Sequence, residues 1–281
     1  MNLRYEILPP SLKFSGFINY YKYIEGYSQG MFKIVPAINQ ELYFHLNAGN
    51  YIFSSPGIYQ IKHPLIHLIG LHEYQQNVIS YIPGNEMIRG FAVVFKPNGI
   101  KKLFRLSHSE IHRYAIDGES LFRNHTEDLW YRIKTASGIA EMKVRLEAFL
   151  ERYLVYKDYY VSPFNRILNS IMMKNGILSL QQLCTEFHIS KRTLQRKFID
   201  EIGMSPKEYL QITRLNYALM LLKSNQCRNL TELSYLSGYY DQSHYIRDIR
   251  KMFGISPRSL KRNDDQLLNC DNRIFWDVPL K

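Results

Sequence analysis

The chain has 281 residues, enough for two domains that each bury a core of their own. With 46% hydrophobic and 22% charged residues it is neither a disordered chain nor a membrane-like one, and no apolar stretch approaches the ~18 residues of a bilayer span. The net charge of +11 is unevenly spread: residues 163–262 hold 16 basic and 7 acidic side chains, residues 1–162 hold 18 and 14, and residues 263–281 hold 2 and 4. A basic block of that size is an electrostatic footprint for nucleic acid.

The opening MNLRYEILPP has no apolar run followed by a small-residue cleavage site, so no secretory signal is read there. Cys184, Cys227 and Cys270 are odd in number, far apart, and fit no metal spacing. Free thiols in a reducing cytosol are the expectation, and with them a cytoplasmic protein.

In the first half, QELYFHLN, YIFSSPGIYQI, LIHLIGL, NVISYI and GFAVVFKP are short, aromatic or β-branched, and broken by Gly, Pro and Asn. They predict strands of a mostly β domain. His63, His67 and His72 lie close together and invite a metal site, hence a cupin-like metal-dependent enzyme fused to whatever follows. Only Glu73 stands near them as an acidic ligand, and histidines four apart in a strand share a face merely by alternation, so no metal ligand is assigned. No Gly-x-Ser-x-Gly, phosphate loop or paired-carboxylate motif is present, and no catalytic residue is assigned. The first 183 residues hold no cysteine, which excludes a thiolate sensor there. AEMKVRLEAFLERYLVY, 140–156, predicts a helix with Met142, Leu146, Phe149, Leu150 and Tyr153 along one face. That stripe can pack on its own domain or on a second subunit. KDYYVSP then reads as a linker.

The second half contains a repeat. ISKRTLQRKFIDEIGMSP, 189–206, and YDQSHYIRDIRKMFGISP, 240–257, match at an offset of 51: Ser190 with Asp241, Leu194 with Tyr245, Arg196 with Arg247, Phe198 with Ile249, Gly203 with Gly254, Ser205-Pro206 with Ser256-Pro257. Ahead of each copy stands a short helical pattern. Ser179 caps one with Leu180, Leu183, Cys184 and Phe187 on a face, and the other places Leu230, Leu233 and Leu236 inward with Gly238 in the turn. Here the offset is 50, so the second turn is one residue longer. Gly203 predicts a left-handed helix end, and Ser205-Pro206 predicts an N-cap and first-turn proline opening one helix to about Lys223. Short helix, tight turn and polar-capped basic helix make a helix-turn-helix unit. Two copies are too few for a solenoid.

The stretch 164–262 resembles the DNA-binding domain of AraC-type (arabinose-regulator-like) transcription regulators. SKRTLQRKFIDEIGMSPKEYL, RLNYALMLL and GYYDQSHYIRDIRKMFGISP carry the resemblance, with Gly203, Ser205-Pro206, Arg214, Ala218, Gly238, Gly254 and Pro257 at the family's spacing. His188 departs from it where glycine is frequent, Ser234 where alanine is usual, and Ile249 where phenylalanine is usual. LPPSLKFSGFINYYKYIEG and VVFKPNGIKKLF resemble, more loosely, an N-terminal domain found in some members. The resemblance implies an α+β chain: a mostly β sensory or oligomerisation domain (1–157), a linker (158–163), an all-α domain with two helix-turn-helix units joined by a long helix (164–262), and a tail (263–281) whose Phe275 and Trp276 suggest docking.

Residues at the start of a recognition helix, and one turn later, reach base edges. In the first unit these are Lys191, Arg192, Gln195 and Arg196; in the second, Gln242, Ser243, His244 and Arg247. Arginine bonds guanine O6 and N7 together, and glutamine pairs with adenine N6 and N7. Lys197, Arg250 and Lys251 suit phosphates. Eighteen helical residues span ~27 Å, short of the ~34 Å between major-groove faces one turn apart, so one monomer could read two successive segments of a bent duplex. The expectation is a sequence-specific transcription regulator, activator or repressor. Double-stranded DNA is its partner, and RNA polymerase, a small-molecule effector and a homodimer are further partners to test. It needs no cofactor and no membrane.

Overall fold

The structure is a computed structural model that describes residues 2–27, 30–34, 38–47, 50–55, 57–61, 65–69, 76–81, 87–106, 116–154, 163–224, 226–253, 256–257 and 267–268. Two compact units emerge. The first comprises 1–31, 39–71 and 78–161, and the second 162–281 together with 32–38 and 72–77.

Strands lead the chain: β1 (Asn2–Leu8), β2 (Ile18–Tyr27), β3 (Gly30–Ile34), β4 (Gln40–His45), β5 (Asn50–Ser55), β6 (Gly57–Ile61), β7 (Ile66–Ile69), β8 (Gln76–Tyr81), β9 (Ile88–Phe95) and the short β10 (Ile116–Asp117). One sheet runs β1-β2-β9-β4-β7-β10, with every neighbouring pair antiparallel. A second includes β11 (Leu267–Leu268) and runs β11-β3-β8-β5-β6. In the tail, Leu267 and Leu268 thus pair parallel with Lys33 and Ile34; Phe275 and Trp276 lie outside the described residues.

The first sheet separates its two faces by alternation. On one face Tyr21, Leu42, Phe44, Leu68, Phe91, Val93 and Phe95 form a core with helical residues. Those helices are α1 (Gly99–Phe104), α2 (Gly118–Phe122), α3 (Thr126–Lys134) and α4 (Ile139–Leu150). α4 fits the helix expected at 140–156, with a 3-10 turn at Glu151–Tyr153 completing it. Its stripe of Met142, Leu146, Phe149 and Leu150 is buried in this core and Tyr153 packs beside it, so the apolar face is satisfied within the domain. Glu147 on α4 accepts from the Ser11 backbone and the Tyr21 hydroxyl, each at 3.0 Å.

The other face is buried and partly polar. Tyr20, Lys22, His45, His67, Ala92 and Val94 are all nearly inaccessible. Lys22 Nζ lies 3.4 Å from Glu41 Oε1, as a buried ammonium requires, and His45 Nε2 lies 2.8 Å from His67 Nδ1. Burial holds the His67 imidazole well below its ordinary value, to about 3, so it is neutral at pH 7. His63, His72 and Glu73, the other members of the sequence cluster, lie outside the described residues; among the described residues no group of three or more metal-ligating side chains occurs.

The second unit is helical: α5 (Pro163–Met173), α6 (Leu180–Glu186), α7 (Lys191–Ile202), α8 (Pro206–Lys223), α9 (Leu230–Leu236) and α10 (Gln242–Phe253). α8 packs against α5, α7 and α9. Tyr209, Leu210, Ile212, Leu215, Ala218, Leu219 and Leu221 are buried along it, so it is packed on several sides and serves as the spine of the domain. No helix among the described residues is long and apolar enough to cross a membrane.

Candidate nucleic-acid interface

Each helix-turn-helix unit is built from local signals. Ser179 accepts from Gln182 N while the Gln182 side chain accepts from Ser179 N, a reciprocal cap that starts α6. Leu183 is buried, whereas Cys184 is half-exposed. His188 closes the turn at φ +49°, a left-handed conformation in which a side chain is strained. Ser190 then caps α7 by accepting from Thr193 N at 3.1 Å. Leu194, Phe198 and Ile202 are fully buried, and Phe198 packs edge-on to Phe164 and Tyr209 at 5.0 and 5.5 Å. Gly203 ends the helix at φ +84°. The inward stripe leaves Lys191, Arg192, Gln195, Arg196 and Lys197 exposed on the remaining surface.

Ser205 and Glu208 form a second reciprocal cap, with Pro206 in the first turn of α8. The turn after α5 approaches α8 so closely that only glycine fits. A Cβ on Gly176, at φ +71°, would lie 2.6 Å from Leu210 O and 2.7 Å from Arg214 N.

In the second unit Asn229 caps α9, accepting from Glu232 N at 2.8 Å. The turn glycine, Gly238, has φ +74°, and a Cβ there would sit 2.6 Å from Ile177 Cγ2. Leu233 is buried as expected, but Leu236 is 47% exposed. At 100° per residue, Leu236 lies about 240° round the helix from Leu230 and cannot share its face. Ser234 and Ser237 do share it and are fully buried. Their hydroxyls donate to Thr231 O at 2.7 Å and Leu233 O at 2.6 Å, so the departure from alanine at Ser234 costs no unmet hydrogen bond.

Asp241 opens α10 by accepting from His244 N at 2.7 Å. Tyr245 and Ile249 are buried; Ser243, Arg247, Arg250 and Lys251 are exposed; Gln242 and His244 are intermediate. Both intermediate residues also have partners inside the unit. Gln242 Oε1 accepts from the Thr231 hydroxyl at 3.1 Å. The His244 ring stands edge-on to Tyr239 at 5.2 Å, with Nε2 4.0 Å from Asp248 Oδ2. Arg214, on α8, reaches the same cluster: its Nη2 lies 3.9 Å from Asp248 Oδ2 and its guanidinium covers Tyr239 at 4.5 Å. Neither Tyr239 nor Asp248 carries a role that the sequence alone predicts. A signal exists for Asp248, since 245, 248, 249 and 252 follow the inward stripe of α10, but an acidic side chain there reads as a surface charge. Gly254, the expected terminator of this helix, lies outside the described residues.

A helix-turn-helix domain family matches residues 183–263. Over 88 residues the chain is 32% identical to the HTH-type transcriptional activator RhaS of Citrobacter koseri, and over 83 residues 32% identical to RhaS of Escherichia coli O9:H4. These alignments span 31% and 30% of this chain and the same shares of the relatives, so about a third of each relative is matched. Among solved structures, ToxT from Vibrio cholerae superimposes over 93% of this chain and 97% of its own at a TM-score of 0.49 and 11% identity. The AraC-like transcriptional activator CuxR covers 77% and 81% at 0.34 and 12% identity. The sequence match falls on α7, α10 and the spine between them: residues 183–263 of this chain form a helix-turn-helix domain.

Proposed function

We propose that the protein is a sequence-specific, DNA-binding transcription regulator of the cytoplasm, one monomer of which reads two successive major-groove segments of double-stranded DNA. The carrying observation is the pair of helices α7 and α10. Each buries an apolar stripe and exposes polar and basic residues along its first two turns, Lys191, Arg192, Gln195 and Arg196 on α7 and Ser243 and Arg247 on α10, and a single 18-residue helix joins the two units. Lys191, Arg192, Gln195 and Arg196 read bases in one segment, and Gln242, Ser243, His244 and Arg247 in the next. Lys197, Arg250 and Lys251 hold phosphates. The naming of RhaS as a transcriptional activator supports the regulatory role; RNA polymerase is a further proposed partner.

In this reading residues 1–157 form the effector-sensing or oligomerisation domain, 158–163 the linker, 164–262 the DNA-binding domain and 263–281 a tail. A small-molecule effector and a homodimer are the further partners of the first domain. Because α4 spends its apolar stripe on its own core, dimer formation would use another surface.

Mapping the sites bound across the source genome tests the reading. Affinity for the recovered sequences should exceed that for random duplex and fall steeply with salt, with a log–log slope of about −5 for six phosphate contacts. A flat salt response or equal affinity for random duplex rejects it. A fragment from about 160 to 281 should fold and bind the same sites.

A further inference from the structure

The two turns differ by one residue, and the structure shows where it went. His188 and Gly238, 50 apart, both take the left-handed turn conformation, while the caps Ser190 and Asp241 are 51 apart. The extra residue therefore lies between Gly238 and Asp241. Ile189, half-buried between turn and cap in the first unit, has its counterpart in Tyr239, which is 3% exposed. Tyr239 is fixed by the Arg214 guanidinium over its ring and by edge contacts with His244 and Tyr245, at 5.2 and 5.3 Å. That leaves Tyr240 as the insertion. It is 87% exposed, although the other described aromatic residues of this turn and of the first two turns of α10 are buried or half-buried.

Position defines what an exposed tyrosine can do there. It immediately precedes the cap of a reading helix whose first residues enter the major groove, so it lies at the lip of the groove, where the phosphate backbone runs. A phenol is neutral, donates one hydrogen bond, and carries a flat ring that covers deoxyribose. The second reading surface has one permanent cation, Arg247, against three in the first, so a neutral anchor supplies a hold that charge supplies in the other unit.

We infer that Tyr240 is a DNA-backbone contact of the second unit, its hydroxyl donating to a phosphate beside the groove read by α10. This rests on the DNA-reading function proposed above. The test uses full-length protein and a duplex that the wild-type chain selects from a random pool, with affinity measured by fluorescence anisotropy. Tyr240→Phe and Tyr240→Ala should each bind ~10-fold more weakly, the loss of one hydrogen bond to a charged group. The loss should be equal on point-mutated duplexes, and the salt slope should be unchanged because no counterion is released. Tyr235→Ala, removing another exposed aromatic from α9, should bind like wild type. Thermal melts should match wild type, since the Tyr240 ring packs on so little.

Wild-type affinity in Tyr240→Phe, or an equal loss in Tyr235→Ala, overturns the inference. So does a variant that keeps its DNA affinity yet loses reporter output, which would make Tyr240 a contact for a protein of the transcription machinery. If Arg247→Ala weakens binding while Tyr240→Ala does not, this inference alone falls. If Arg196→Ala and Arg247→Ala also bind unchanged, the DNA-reading function falls with it.

Discussion

Arg214 Nη2 lies 3.9 Å from Asp248 Oδ2, joining the spine helix α8 to α10. At that separation the pair is electrostatic rather than a well-formed hydrogen bond. The guanidinium also covers Tyr239, so one side chain fixes both α10 and the turn ahead of it. Asp248→Asn should therefore blur base preference in the half-site under α10 and leave the other half intact. With Arg214 only partly exposed, stripping its partner should cost about 1–3 kcal/mol of stability. A double-mutant cycle with Arg214→Ala, read by urea unfolding, checks this: additive effects would mean that the two side chains do not communicate.

His188 and Gly238 hold the same place in the two turns and predict opposite responses. Gly238→Ala must adopt φ +74° with its Cβ against Ile177, so it should destabilise by more than about 1 kcal/mol. His188→Gly relieves a strained φ of +49° and should be neutral or stabilising by up to about 1 kcal/mol. Chemical denaturation of both variants measures the difference. A destabilised His188→Gly would show that the imidazole makes contacts worth more than the strain.

His67 predicts acid sensitivity of the N-terminal domain. Its folded value, about 3, lies below the ordinary 6.5 of an unfolded histidine. Between those values the unfolded chain binds a proton that the folded one refuses, so stability rises with pH and is lost as pH falls. The contribution is fully retained above about pH 6.5, and each unit below it costs about 1.4 kcal/mol until pH approaches 3. His67→Gln should flatten this dependence in pH-resolved thermal melts. An unchanged slope would assign the acid sensitivity to other groups.

How well sequence forecast structure depended on how local the signal was. Ser179, Ser190, Ser205 and Gly203 act within a few residues of themselves, and α6, α7 and α8 begin or end where those residues stand. The strands at 40–95 are legible from β-branched and aromatic runs; β1 and β2 are less so, because NLRYEIL mixes charged with apolar residues and INYYKYIEGY is aromatic on both faces. α3 starts without a side-chain cap at His125, so no local signal marks its beginning. At the candidate interface, the exposed opening of α7 and the exposed Ser243 and Arg247 of α10 follow from helical periodicity. The Arg214–Asp248–Tyr239 cluster did not, because it joins separate elements and places a carboxylate where periodicity expects an apolar residue. The outward turn of Leu236 was a matter of angle: leucine count suggested a stripe that 100° per residue does not allow.

The two reading helices share a scaffold but not a surface, so they should read different bases. Lys191, Arg192, Gln195 and Arg196 offer three cations and an amide, all exposed. Gln242, Ser243, His244 and Arg247 offer one permanent cation, and two of them are half-engaged with Thr231, Tyr239 and Asp248. Guanine-rich contact is expected under α7, and mixed or adenine contact under α10. Arg196→Ala and Arg247→Ala should each lose about 1–3 kcal/mol of binding and relax preference in different halves of the site. Lys251→Ala, exposed on the far turn of α10, should weaken all sequences evenly and reduce the salt slope by about one. Binding-site selection with each variant reads out both effects. If Arg196→Ala and Arg247→Ala blur the same base pairs, the units do not lie in successive grooves, and a single monomer cannot be reading two segments at once.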